Sequence, residues 1–393
     1  MHNYFYDERH EAFRAIVREF VRFEIGPSYR HWDQARQVPP ELYARLGEAG
    51  CIGLTIPEEF GGFGELDYRF RMLIIEELAR VQAPGVSIAL SVHDDVVIPY
   101  LLDLASPEQR SRLLPSMANG TRLGALAATE ARAGSDVQGI TTTAKLDGDD
   151  WVLNGDKTFI TNGINASIVL VLARTSPDPV DPGFTIFVVE AGMPGFEHVQ
   201  KLDKIGLHAQ ATAQLRFSDV RVPAANVLGE VGAGLHYLMQ RLPRERLSIA
   251  TIAQASAEAA YDWTRNYVFS REAFGHPLGE LQTVRFELAE LETELSVTRA
   301  YLERCIFAMN DGELNTVDAA KAKWWATELE QRVVTRRLQL HGGNGFLEDY
   351  PIGRAFRDSR VQSLYGGTAG SWGECNSLKF RELVCIHWRT AYA

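Results

Sequence analysis

Apolar and polar positions recur along this chain in two rhythms, and the change of rhythm divides it into three regions. In the first region the spacing is helical. Phe13, Ile16, Val17, Phe20 and Val21 share one stripe of a helix predicted over Glu8 to Val21. Pro39 and Pro40 open a second predicted helix that ends near Gly50, and a third runs from Phe70 to Val81. A fourth starts at Pro107, after Ser106, and stops at Asn119-Gly120. Proline at the start and glycine just past the end are the favoured terminators. Near Leu123 the pattern becomes short runs rich in Thr, Val, Ile and Phe. The predicted strands are Thr141 to Leu146, Trp151 to Leu153, Thr158 to Thr161, Ile168 to Ala173, Phe184 to Glu190 and Ala213 to Phe217. Asp147-Gly148 and Asn154-Gly155, set between the first three, read as hairpin turns. After Gly232-Ala233-Gly234 the helical period returns, over Leu235 to Arg271, Leu281 to Met309 and Val317 to Leu340. These segments are long and apolar enough for a bundle.

The expected fold is therefore mainly α with a central β domain. A helical N-terminal domain (1–122) precedes an antiparallel, barrel-like middle β domain (123–230), and a helical bundle (231–393) follows. A chain of 393 residues is long for one core and comfortable for two or three domains.

Composition narrows the function. With 46% hydrophobic and 23% charged residues the chain is ordinary for a globular protein. No apolar run is read as reaching the roughly 18 residues that span a bilayer, so no membrane insertion is expected. The start, Met1 to Glu8, lacks the basic and apolar segments of a signal peptide, which makes a cytoplasmic location the expectation. A net charge of −11 argues against nucleic acid as a partner. Cys51, Cys305, Cys375 and Cys385 have no metal-finger or redox spacing, and the ten histidines no paired pattern, so reduced thiols and no metal site are expected.

Several segments carry candidate chemistry. Leu126 to Asp136 offers the hydroxyls of Thr129 and Ser135 around Gly134, suited either to a ligand or to an ordinary capped turn. In Trp151 to Gly163, Phe159 and Thr161 lie two residues apart and would share a strand face, against a planar cofactor or simply in the core. Arg271 to Gly275 and Gln339 to Phe346 follow later. The paired glycines Gly342-Gly343 can cap a helix or make room for a phosphate. They are no dinucleotide fingerprint, because a helix precedes them where a strand is required. Further on come Tyr350 to Asp358 and Leu364-Tyr365-Gly366-Gly367-Thr368.

In this order and spacing, the segments resemble the acyl-CoA dehydrogenase family, from about Asp7 to Thr368. The likeness is strongest to its long-chain members, through Arg244-Glu245-Arg246-Leu247, Thr264 to Val268, Leu281 to Val284 and Leu364 to Thr368. The resemblance implies α,β-dehydrogenation of a fatty acyl-CoA to the trans-2-enoyl-CoA, with FAD held between the β domain and the C-terminal helices. It implies that Ala128, Thr129, Gly134 and Ser135 line the flavin and pyrophosphate, and that Phe159 and Thr161 lie by the flavin ring. Most relatives have Trp at the Phe159 position. Arg271, Phe274, Gln339 and Gly343 are implied to reach the FAD of a neighbouring subunit, with Thr368 a further cofactor contact. A homotetramer and an electron-transfer flavoprotein are the implied partners. Ser135, Arg246, Tyr365 and Gly366 are the implied substrate contacts.

Removal of an α-proton needs a base. Most of the family carries that Glu directly after the tyrosine of this motif, where this chain has Gly366. A minority, the long-chain and isovaleryl enzymes among them, places it on a C-terminal helix before an Arg, which here is Glu245-Arg246. Glu245 is therefore assigned as the base, with the Gly366 amide donating to the thioester carbonyl. The competing reading is a surface ion pair of Glu245 with Arg241. An acyl-CoA oxidase or flavin monooxygenase on the same fold, and a non-catalytic acyl-CoA-binding paralogue, are the alternative functions. Relatives also continue past the threonine into Glu-Ile-Met, where this chain has Gly370-Ser371-Trp372. Loss of one base converts the first set of codons into the second, so a shifted reading frame after Ala369 is expected.

Overall fold

Asp7 starts the first helix. Its side chain accepts from the backbone of Arg9 and His10, and the chain turns helical at Glu8. A computed structural model describes residues 4–176, 178 and 183–367. Seven α-helices precede the sheet: α1 (Glu8–Phe20), α2 (Gly26–Gln34), α3 (Glu41–Glu48), α4 (Tyr68–Arg80), α5 (Pro84–Leu90), α6 (Ile98–Leu104) and α7 (Pro107–Ala118). The apolar stripe of α1 is narrower than its spacing predicts. Val17 and Val21 are buried but Ile16 is exposed, while Arg14 is buried and bonded to Glu76. At α7 a reciprocal Ser106–Gln109 cap supplies the start signal.

The segment Pro84–Leu104 runs through α5, a π-helical stretch (Ser91–Val97) and α6. By length and composition alone it could cross a membrane, contrary to the expectation that no segment does. Most of it is buried inside the protein, which marks it as a core helix.

The sheet contains β1 (Leu123–Ala127), β2 (Thr143–Asp147), β3 (Asp150–Thr161), β4 (Ala166–Arg174), β5 (Phe184–Glu190), β6 (Phe196–Lys201), β7 (Thr212–Pro223) and β8 (Val227–Leu228). Its order is β6-β7-β3-β2-β4-β5-β8, and β1 pairs with β4 in parallel. Asp147-Gly148 makes the expected β2–β3 turn, but Asn154-Gly155 does not turn the chain. The two predicted strands around it are one strand, β3, bulged at that dipeptide. A Cβ on Gly155 would meet Thr142 Oγ1 at 2.5 Å, and Asn154 bonds Asp219 across the pair at 3.0 Å. The dipeptide thus serves close approach rather than reversal.

The chain forms two compact units, the first ending at Leu242 and the second beginning at Pro243. Within the first, helices and sheet share a core in which Val97, Leu101 and Leu113 pack with Ile168, Leu170 and Ile186. Among the described residues the remaining α-helices are α8 (Gly234–Ser270), α9 (Gln282–Asn310), α10 (Thr316–His341) and α11 (Pro351–Ser359). In the second unit, Ala257, Tyr261, Leu291, Leu329 and Val333 join α8, α9 and α10 in one core. Thr368, the tail after Ala369, Cys375 and Cys385 lie outside the described residues.

Candidate active site

The second unit sets one carboxylate against a glycine turn. A Cβ built on Gly366 would lie 3.7 Å from Glu245 Oε1 and 2.4 Å from Cδ1 of Ile249, one helical turn further along α8. Gly366 and Gly367 have φ of +64° and +94°, a region that side chains disfavour. Conformation and space together therefore demand glycine at 366. Arg246 Nε donates to the Gly366 carbonyl at 3.2 Å, and Lys323 Nζ, from α10, donates to the Gly367 carbonyl at 2.7 Å. Tyr365 donates to Gln362. Glu245, Arg246, Tyr365 and Gly366 are thus brought together. Arg241 pairs instead with Asp103, so the surface ion pair with Glu245 does not form.

The electrostatics of this cluster pull both ways. Burial raises the Glu245 carboxyl above the usual carboxylate range, while Arg246 and Lys323 draw it back down. Glu245 is half-buried, and among the described residues it is hydrogen-bonded to neither cation. Burial also holds the Lys323 amine down to about 8, helped by Arg246 and opposed by Glu245 and Glu328. Behind the turn, Glu330 is buried and lies well above the ordinary range, first through burial and then through Asp358. Tyr365 is raised by burial and by the charges of Glu330 and Glu245. A carboxylate poised upward beside an anchored amide turn can take a proton next to a carbonyl group.

In the first unit Ala128 and Thr129, two of the implied flavin-lining residues, lie beside β3, which carries Phe159 and Thr161. Thr158 N donates to Thr129 O at 3.0 Å, and Lys157 Nζ donates to Ala128 O at 3.0 Å, which lays residues 128–129 beside the end of the strand. Lys157 and Thr141–Thr142 together hold the buried carboxylate of Glu130. Phe159 is no core residue, being 66% exposed with φ +59°. A bulky side chain in that region is uncommon and concentrates at functional sites. Thr161 is half-buried, and Ser135 and Gly134 are exposed, with open space where a Cβ on Gly134 would point.

The second unit repeats these signs. Phe274 is 91% exposed with φ +56°. Arg271, Gln339 and Gly343 are exposed, and Cβ atoms on Gly342 and Gly343 would meet nothing. Uncovered rings beside unfilled glycine surfaces and hydroxyls fit a large planar group bearing phosphates.

Lys323, Glu330 and Ile249 escaped the reading of the sequence. A signal for the first two was present: on the small-residue face Ala319, Ala322, Ala326 of a predicted bundle helix, Lys323 and Glu330 recur at helical spacing. Charged groups on such a face are buried and need a reason to be there.

The chain matches the N-terminal, middle and C-terminal acyl-CoA dehydrogenase domains over residues 7–121, 125–220 and 232–371. It is 44% identical over 365 residues to the mitochondrial long-chain specific acyl-CoA dehydrogenase of Sus scrofa, covering 92% of this chain and 84% of that one. The acyl-CoA dehydrogenase crystal structure from Geobacillus kaustophilus superposes with a TM-score of 0.93 at 40% identity, covering 96% and 99% of the two chains. A glutaryl-CoA dehydrogenase from Mycobacterium smegmatis, solved in complex with FADH2, superposes with a TM-score of 0.87 at 27% identity, covering 94% of each. The chain belongs to the acyl-CoA dehydrogenase family of oxidoreductases, which act on CH–CH groups.

Proposed function

We propose that this enzyme oxidises a fatty acyl-CoA to its trans-2-enoyl-CoA, with Glu245 as the base that takes the α-proton. The observation that carries the reading is the pairing of Glu245 with a side-chain-free Gly366, 3.7 Å from the position of the missing Cβ. Desolvation gives the carboxylate more basicity than it has in water, and its partial exposure leaves a path for substrate. The Gly366 amide is the donor to the thioester carbonyl, and Arg246 restrains the turn that presents it. Bound FAD supplies the hydride acceptor for the β-carbon. Ala128, Thr129, Gly134, Ser135, Phe159 and Thr161 are the residues of the first unit that would hold it.

The proposal extends to assembly and electron flow. Phe274 and the exposed Phe286 and Val297 need cover, which a second copy of the chain supplies in a homotetramer. An electron-transfer flavoprotein is the proposed acceptor. Medium-to-long or branched acyl chains are the proposed substrates, from the base position and the likeness to the long-chain enzyme. A panel of acyl-CoAs of varied length and branching, turned over with an artificial electron acceptor, tests the reading. Activity peaking on longer or branched chains supports it; an optimum at butyryl-CoA overturns the chain-length part, and no turnover of any thioester by the flavin-loaded enzyme overturns the function.

A further inference from the structure

The Gly366–Gly367 turn has no side chain with which to fix itself. Two successive glycines at positive φ have more backbone freedom than any other pair, yet this turn must present an amide with sub-ångström accuracy. Its two carbonyls are instead gripped from the protein side by two cations. Arg246 holds the first and Lys323 the second, at 3.2 and 2.7 Å. Lys323 is 4% exposed, and it extends past the alanines of α10 to reach the turn. A buried ammonium is costly, and a single backbone carbonyl offsets little of that cost. Its remaining compensation comes from the carboxylates of Glu245 and Glu328, and it pulls Glu245 in turn towards ionisation.

We infer that Lys323 is a positioning residue of the dehydrogenase, which fixes the Gly366–Gly367 turn from behind and supplies positive charge beside Glu245. This rests on Glu245 being the base. The other charges around the site are Arg246 from α8, Glu328 and Glu330 from α10, Asp358 from α11, and the phenol of Tyr365. Arg246 acts with Lys323, whereas ionisation of Glu330, Asp358 or Glu328 would act against it. Burial, then Asp358, favours the neutral form of Glu330, and the charges that act on Glu245 are the two cations. Removing one of them raises the pH at which Glu245 ionises, while a purely structural lysine would leave that pH unchanged.

The experiment compares the flavin-loaded wild type with Lys323→Met, Lys323→Gln and Lys323→Arg. Flavin content is measured first, then the rate of flavin reduction by saturating acyl-CoA against pH. Lys323→Met is expected to keep its FAD and a KM within about threefold, and to lose roughly 10- to 100-fold in reduction rate at neutral pH. Its acidic limb should move to higher pH, while Lys323→Arg keeps the wild-type limb and recovers most of the rate. A Lys323→Met enzyme with the wild-type rate and limb overturns the inference. So does an equal loss in Met and Arg variants with no movement of the limb. If the Met variant fails to fold, the Gln and Arg variants decide by the same limb: a shift in Gln alone supports the inference, and no difference between them overturns it. Glu245→Gln, measured alongside, separates the two readings. If it reduces flavin normally, the base assignment fails whatever Lys323 does. If it is inactive while Lys323→Met behaves as wild type, the Lys323 inference alone fails.

Discussion

Glu245 and Gly366 occupy one space from two directions: the carboxylate arrives from α8, and the glycine leaves it room. Replacing Glu245 with Gln keeps the size and removes the proposed base. Flavin reduction by acyl-CoA should fall by at least about 100-fold with FAD binding intact. Moving the carboxylate across, as Gly366→Glu in the Glu245→Gln background, should recover almost nothing. The new Cβ would lie 2.4 Å from Ile249 Cδ1, on a backbone with φ +64°. Adding Ile249→Ala should restore part of the rate. Stopped-flow reduction of the three variants checks this, and a double variant as fast as the triple contradicts the steric argument.

The same glutamine should flatten the pH dependence of stability. Burial raises the folded-state pKa of Glu245 above its unfolded value, so between the two the folded chain binds more protons and stability falls as pH rises. Above the folded-state value the whole penalty is present. Gln carries no such charge but leaves Lys323 without its Glu245 counter-charge, so the melting temperature of Glu245→Gln relative to wild type should rise from acid to neutral pH. Thermal melts of both proteins at matched FAD across pH give the answer; a difference in melting temperature that does not change with pH counts against a desolvated carboxylate.

Phe159 should matter to the flavin and not to the fold. It is 66% exposed, so Phe159→Ala removes little from the core. It should weaken FAD binding about tenfold while leaving the flavin-free chain's free energy of unfolding within about 0.5 kcal/mol of wild type. Phe159→Trp, the residue most relatives carry, should retain FAD. Titration of the apoprotein with FAD measures both; unchanged affinity in the alanine variant would remove Phe159 from the cofactor site.

Glu130 sets an acid limit on the first unit. Lys157, with the Thr141–Thr142 bonds, overcomes the effect of burial and holds the carboxyl down to about 2, from an ordinary 4.5. Stability from this group is complete above pH 4.5 and is lost as pH falls towards 2, corresponding to roughly 3 kcal/mol before the burial of Lys157 offsets part of it. Lys157 is itself pushed down to about 8, the mark of an amine that burial does not favour. In Glu130→Gln the cation has no counter-charge, so the variant should be weaker at neutral pH and the gap should close in acid. Denaturant midpoints between about pH 7 and 3 test this, and parallel curves would refute it.

The long elements were legible because their signals are local. The boundaries of α8, α9 and α10 follow from a sustained helical period and flanking glycines, and α7 from a proline behind a serine cap. β1 was not legible: Leu123-Gly-Ala-Leu-Ala127 has neither alternation nor β-branched residues, and is a strand only because β4 pairs with it. Asn154-Gly155 misled for a related reason, since only the partner strand decides whether such a dipeptide turns or bulges. In the site, Glu245 was legible because a second position, Gly366, had changed with it. Lys323 and Ile249 were not, because their roles come from contacts across more than 40 and more than 110 residues of sequence to the same glycine turn.

The uncovered rings of Phe159, Phe274 and Phe346 have a consequence for how this protein survives outside its working state. A chain that leaves such surface open stands closer to aggregation when alone than its cores suggest. Anything that binds only the folded chain raises its apparent stability with the logarithm of its own concentration. Under the proposed assembly, dilution and loss of flavin act as denaturants, and the melting temperature is a property of the solution's composition as much as of the polypeptide.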